Sequence, residues 1–228
     1  MRLLVSVRDV DEALAAAAAG VDFIDLKEPS AGALGALPPA TLEAIVAALK
    51  QRAPGRRPIS ATIGDCAGTA EVLERVAETA ACGVDYVKVG IAPGQHALLD
   101  ALAMCGHAVV PVFVADHGID GALLARAGAL AFPALMLDTE DKARGSLFDI
   151  ASEGQLQRFV TQVRRSGKLC GLAGALRFEH LARLQSIAPD FAGFRSAVCS
   201  GARTAALDAQ RVRALREQLQ CEDAAQAA

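Results

Sequence analysis

The sequence has no surplus of basic charge, no closely spaced cysteine pair and no long apolar run. Its formal net charge is −3 over 228 residues. That balance leaves no electrostatic footprint for nucleic acid or for an anionic membrane surface, so neither is expected as a partner. No two of its six cysteines, Cys66, Cys82, Cys105, Cys170, Cys199 and Cys221, lie within five residues of each other. A C-x-x-C zinc or redox pattern is therefore excluded, and the thiols read as small buried apolar groups of a reducing cytoplasm. No apolar stretch approaches the roughly 18–20 residues that a membrane span needs. Met1 to Arg8 carries charge too early for a signal peptide and reads as a strand. Also missing is a G-x-G-x-x-G turn after the first strand, which counts against a dinucleotide fold.

What is present is a soluble, core-forming composition, 53% apolar and 21% charged. Short β-rich runs alternate with alanine-rich amphipathic stretches. Leu3–Val7 is the first strand, and Asp9 opens a helix through Ala19. Asp9 and Glu12 have the spacing of an N-cap and its reciprocal acid, and Gly20 is placed to end the helix. Strands are predicted over Asp22–Lys27, Pro58–Ile63, Asp85–Val89, Ala108–Val114, Ala131–Leu137, Lys168–Ala173 and Phe191–Arg195. Helices are predicted over Pro38–Gln51, Thr69–Cys82, Gln95–Met104, Gly121–Ala127, Glu153–Arg165, Arg177–Ser186 and about Thr204–Leu219. Strands this apolar belong to a parallel sheet covered by helices. Eight strands and eight helices in strict alternation predict an α/β protein of the (β/α)8, TIM-type barrel class. A doubly wound open sheet is the competing architecture. Residues 1–220 would form the one domain and residues 221–228 a short polar tail. The active site of such a barrel lies at the carboxyl ends of its strands.

Ionisable residues break the apolar pattern at those ends. Asp25 and Lys27 are two apart and share one face of the second strand. Lys88 stands among β-branched residues on the fourth, and the sixth leads into Asp138 and then Lys142. Asp65 follows strand three, and Asp116 and His117 follow strand five; for Asp65, Asp116 and Glu28 helix capping is as good an explanation as a functional one. Two lysines in one mouth require carboxylates, and Asp25 and Asp138 are available. Crowded ammonium groups also make one amine a better nucleophile. The loops after strands seven and eight are glycine-containing, as in phosphate-binding barrels. Gly174 would let the backbone approach an anion, Gly201 of the second loop is a further phosphate-binding candidate, and Arg195 and Arg203 would supply charge. The four histidines, His96, His107, His117 and His180, are too scattered to suggest a metal site.

Taken in order, Leu4-Val-Ser, Ile24-Asp-Leu-Lys-Glu-Pro, Gly32-Ala-Leu-Gly, Ser60-Ala-Thr-Ile-Gly-Asp, Asp85-Tyr-Val-Lys-Val-Gly, Met136-Leu-Asp-Thr, Leu172-Ala-Gly and Arg195 resemble the (5-formylfuran-3-yl)methyl phosphate synthase family, also called 4-(hydroxymethyl)-2-furancarboxaldehyde-phosphate synthase. The blocks span residues 4 to about 203. The resemblance implies a lyase of methanofuran biosynthesis. It condenses two molecules of glyceraldehyde 3-phosphate, with loss of phosphate and water. It implies a Schiff base on Lys27, and it puts Lys88, Asp138 and Lys142 in register with the family's other motif residues. Asp25 is expected to orient Lys27, with Lys88 as the neighbouring charge, while Asp138 and Lys142 move protons or hold the second triose. The iminium is itself the electron sink, so no metal or cofactor is expected, and the partner is a small phosphorylated triose. Self-association into a homo-oligomer is compatible with the sequence. One departure is Ser196, where the family pattern R-G-A-A-C would place glycine. The loop between strands four and five is also shorter than in archaeal members, which bears on His117. Two other readings fit the lysines or the loops: a class I aldolase acting on another phosphorylated carbonyl compound, and a non-catalytic phosphosugar-binding barrel.

Overall fold

The chain winds eight times from strand to helix. The computed structural model describes residues 1–32, 34–53, 55–141 and 144–226, from 221 onward as backbone only. The strands are β1 (Arg2–Val7), β2 (Phe23–Leu26), β3 (Ile59–Thr62), β4 (Tyr86–Ile91), β5 (Val109–Val114), β6 (Ala134–Asp138), β7 (Leu169–Leu172) and β8 (Phe191–Phe194). They form a closed parallel barrel in chain order. Pairing of Arg2 through Val5 with Phe191 through Phe194 shuts it. This is the single-domain (β/α)8 barrel expected from the alternation.

Helices α1 (Val10–Ala18), α2 (Pro39–Arg52), α3 (Thr69–Ala81), α4 (His96–Met104), α5 (Gly121–Ala129), α6 (Leu147–Ile150), α7 (Glu153–Arg165), α8 (Leu181–Ile187) and α9 (Ala209–Gln226) accompany the strands. Three differences from expectation have local causes. The short α6 is opened by a Ser146–Asp149 capping box. The stretch from Arg177 begins as a 3-10 turn at Phe178–His180 before α8. The last helix starts at Ala209 because Asp208 accepts from the amides of Gln210 and Arg211, at 2.8 and 3.3 Å. It continues to Gln226, past the point where a polar tail was expected. Among the described residues, no helix is long and apolar enough to cross a membrane.

Apolar packing is split into two bodies. One lies between the sheet and its helices and includes Leu3, Val5, Ile24, Leu99, Leu135 and Leu215. The other fills the barrel and comprises Leu4, Val110, Val112, Ala134, Met136, Ala173 and Phe191, with Phe23, Leu34 and Tyr86 against it. Period-2 alternation turns the inward rows polar toward the carboxyl ends. Phe23 gives way to Asp25 and Lys27, Tyr86 to Lys88, and Met136 to Asp138, so the apolar floor carries a charged rim.

Candidate active site

At the rim, Ser6, Asp25 and Ser60 stand side by side on β1, β2 and β3 because the register pairs them. Both hydroxyls donate to Asp25, Ser6 Oγ at 3.1 Å and Ser60 Oγ at 2.6 Å. Asp25 is fully buried, and its Oδ1 lies 3.0 Å from Lys88 Nζ. Lys27 stands two residues further on, just past the end of β2, a step of about 6.5 Å. Its Nζ faces Asp138 Oδ2 at 3.5 Å. The expected pairing is therefore corrected: Asp25 holds Lys88, and Lys27 turns to Asp138. The cause is depth. The long Lys88 side chain reaches down to the serine layer, whereas Lys27 sits level with the end of β6.

These four groups share an open cavity with Gly174, Ala175, Ser196, Arg195 and Arg203. The two lysines differ in freedom. Lys88 is 4% exposed and bound to a carboxylate that the two serines also hold, while Lys27 is 9% exposed and makes the longer contact. Asp138 is fixed by the Thr139 amide, which donates to its Oδ1 at 2.7 Å.

Other sequence candidates separate into distinct roles. Gly174 does line the cavity, with φ +119°, and a Cβ there would stand 2.9 Å from Thr139. Glycine thus also allows β7 to pack on the end of β6. Arg195 reaches the cavity, but every one of its N–H groups is already spent. Nε donates to the Arg203 carbonyl at 2.9 Å, and Nη1 donates to the Ser6 carbonyl at 3.2 Å and to Glu12 Oε2. Nη2 donates to Glu12 Oε1 at 3.0 Å and to the Ala205 carbonyl at 2.8 Å. Arg195 therefore organises a loop and has no donor left for a phosphate. Arg203 donates one N–H to the Gly32 carbonyl at 2.9 Å and makes no ion pair among the described residues. Gly201 is exposed and lies outside the cavity wall.

Asp65 and His117 line a neighbouring recess with Glu140. His117 Nε2 and Glu140 Oε2 are 2.8 Å apart, and both side chains are at least half exposed. Asp116 acts as a clamp, accepting from the amides of Glu140 and Asp141 at 2.7 and 3.4 Å and facing Arg144 at 3.8 Å. Lys142 lies outside the described residues. No group of three or more His, Cys, Asp or Glu side chains that could hold a metal ion occurs among the described residues.

Two features escaped the reading of the sequence. Ser6 and Ser60 were visible only as polar residues in apolar strands. Glu12 carried the signal of a helix cap, and Asp9 does accept from the Glu12 amide at 2.9 Å. The Glu12 carboxylate serves the neighbouring Arg8 amide at 3.1 Å and, chiefly, Arg195.

A family model described as 4-HFC-P synthase matches residues 3–216. The chain belongs to the 4-HFC-P synthase family. A Methylorubrum extorquens protein with the provisional name (5-formylfuran-3-yl)methyl phosphate synthase is 41% identical over 92% of this chain and 88% of its own. The (5-formylfuran-3-yl)methyl phosphate synthases of Methanosarcina barkeri and Methanocaldococcus jannaschii are 35% and 33% identical. They cover 90% and 95% of this chain, and 93% and 99% of their own. Membership in this synthase family makes the protein an enzyme. Among solved structures, phosphoribosyl anthranilate isomerase from Thermus thermophilus aligns with a TM-score of 0.68 at 18% identity, over 97% of this chain and 99% of its own. A 3-hexulose-6-phosphate synthase aligns at 0.60 and 20%, over 94% and 99%. Such distant likeness supports the barrel alone.

Proposed function

We propose that this member of the 4-HFC-P synthase family condenses two molecules of glyceraldehyde 3-phosphate to (5-formylfuran-3-yl)methyl phosphate through a Schiff base on Lys27, as a lyase of methanofuran-type cofactor biosynthesis in the cytoplasm. The observation that carries the reading is the inequality of the two amines in one cavity. Lys88 is tied at 3.0 Å to a fully buried carboxylate, whereas Lys27 opens toward the cavity with Asp138 at 3.5 Å.

In this mechanism Asp138 takes a proton from the Lys27 ammonium and returns it to the carbinolamine oxygen, which leaves as water. The iminium acidifies the adjacent carbon, so loss of a C–H proton gives an enamine. One triose is thereby isomerised toward the ketone form, and an enamine carbon forms the new C–C bond to the carbonyl of the second. Elimination of phosphate, ring closure through a hydroxyl and dehydration lead to the furan, and hydrolysis of the imine frees Lys27. The atoms balance as two C3H7O6P giving C6H7O6P, phosphoric acid and two waters. The Lys88 ammonium, fixed by the Asp25 carboxylate in a pair without net charge, offers an N–H donor in the same cavity.

Borohydride reduction in the presence of glyceraldehyde 3-phosphate, followed by peptide mapping, tests the assignment. The expected adduct lies on the peptide containing Lys27 and is absent from K27R. An ultraviolet-absorbing furan aldehyde should accumulate without borohydride. An adduct on Lys88, or none at all, would overturn the mechanism. A Lys27 adduct without the furan would point to an aldolase acting on another carbonyl compound.

A further inference from the structure

The loop after β8 is built around a buried charge. Cys199 and Leu207 form an isolated antiparallel bridge. The Ser200 amide donates to the Ala206 carbonyl at 3.0 Å, and the Asp208 amide to the Val198 carbonyl at 2.8 Å. Residues 199–207 thus fold back as an arm. The Arg195 guanidinium lies inside it, holding the carbonyls of Arg203 and Ala205 at 2.9 and 2.8 Å. Glu12 completes the anchor from α1: its carboxylate takes both Nη atoms of Arg195, and the Leu207 amide donates to it at 3.1 Å. The two side chains are 10% and 6% exposed. Burial opposes the charge of Arg195, but the Glu12 carboxylate outweighs it and raises the guanidinium pKa above its ordinary value.

At the tip of the arm Arg203 projects into the cavity that also holds Lys27. Burial pushes its pKa below the ordinary guanidinium value, with Asp138 opposing from a distance. Among the described residues this half-buried cation has one carbonyl partner and no contacting carboxylate, which sets it up to receive an anion. Glu12 does not line the cavity.

We propose that Glu12 and Arg195 are positioning residues for phosphate recognition, a buried pair that shapes the 199–207 arm so that Arg203 meets the phosphate of the substrate. The proposal rests on the reading of the cavity as a site for phosphorylated carbonyl compounds. A bidentate Arg–carboxylate pair fixes direction as well as charge, which a lysine could not do.

The experiment compares borohydride trapping by glyceraldehyde 3-phosphate and by unphosphorylated glyceraldehyde in wild type, R203Q, E12Q and R195K. R203Q and E12Q are each expected to raise the half-saturating concentration of the phosphorylated aldehyde by about tenfold or more relative to that of glyceraldehyde. The double variant E12Q/R203Q should be no worse than the more affected single one. Should E12Q fail to fold, R195K reads the same arm and is expected to shift the same ratio. Equal losses for both aldehydes would reduce the pair to a structural role. Additive losses, or a phosphate preference untouched in R203Q, would also overturn the proposal. Inorganic phosphate, followed through the shift it causes in the thermal transition, keeps the test separate from the imine chemistry. Weaker binding in E12Q supports the proposal even if wild type forms no imine, and unchanged binding sinks it.

Discussion

Asp25 has no exposed surface, and three donors converge on it: Ser6, Ser60 and Lys88. Removing the ammonium would strand a carboxylate in the barrel, which typically costs about 3–5 kcal/mol. K88M should therefore lower stability by about that much, and D25N in the same chain should return most of it. K27M should cost less, because the Lys27–Asp138 contact is the longer, 3.5 Å against 3.0 Å, and both of its partners are more exposed than those of the Lys88–Asp25 pair. Urea midpoints of the four chains decide the matter. If K27M proved as damaging as K88M, the division between a structural and a reactive amine would fail. Of this arrangement, the presence of Asp25, Lys27, Lys88 and Asp138 at one mouth was legible in the sequence, because inward positions recur at every second residue. Their partners were not. Pairing depends on depth along the strand and on a crossing of the barrel, neither of which leaves a trace in local spacing. Arg195 shows the same limit more sharply: the carboxylate that claims it is 183 residues away in the chain.

At the scale of elements, alternation of apolar strands with alanine-rich helices identified all eight strands, since each covers a full period of burial. The segments with no period were missed. The four-residue α6 is one of these, while the 3-10 turn before α8 fell inside the helix expected over Arg177–Ser186. That turn depends on a histidine. His180 Nδ1 accepts from the Arg177 amide at 3.1 Å, and the ring packs on Phe148 of α6 with centroids 5.0 Å apart. Burial pushes the His180 pKa below its ordinary value. Glu179, 3.6 Å from Nε2, and Asp149 oppose this, while Arg177 and Arg183 assist it. The folded chain thus favours the neutral ring, whose lone pair the Arg177 amide needs. Above the ordinary imidazole pKa both states are neutral and nothing is lost. Below it the unfolded chain takes the proton first, so stability falls as pH drops. Thermal midpoints from about pH 8 to about pH 5 should decline more steeply in wild type than in H180N, which keeps an acceptor that does not titrate. Parallel slopes would remove His180 as the cause.

The whole molecule divides along the barrel axis into an apolar floor and a charged rim, and in the proposed mechanism the rim carries the reaction, as the strand ends do in barrels of this class. The floor is closed by aromatic packing: the Phe23 and Phe191 rings are 5.4 Å apart, and the Arg2 guanidinium stands 4.9 Å over Phe23. Phe191 fits only because β7, its neighbour, presents Gly171 at the paired position. A Cβ on Gly171 would overlap the Phe191 ring. G171A should therefore destabilise the barrel by about 1–3 kcal/mol, the usual cost of overpacking a filled core. The same change should cost less in an F191L background, where the ring that it strikes is gone. The coupling expected between the two positions is about 0.5–3 kcal/mol. Since neither residue lines the rim cavity, borohydride trapping on Lys27 should persist in G171A wherever the chain is folded. Additive urea midpoints would show that the contact does not govern the floor. Loss of trapping in a folded G171A chain would show instead that floor and rim are mechanically one unit, and the axial division would have to be abandoned.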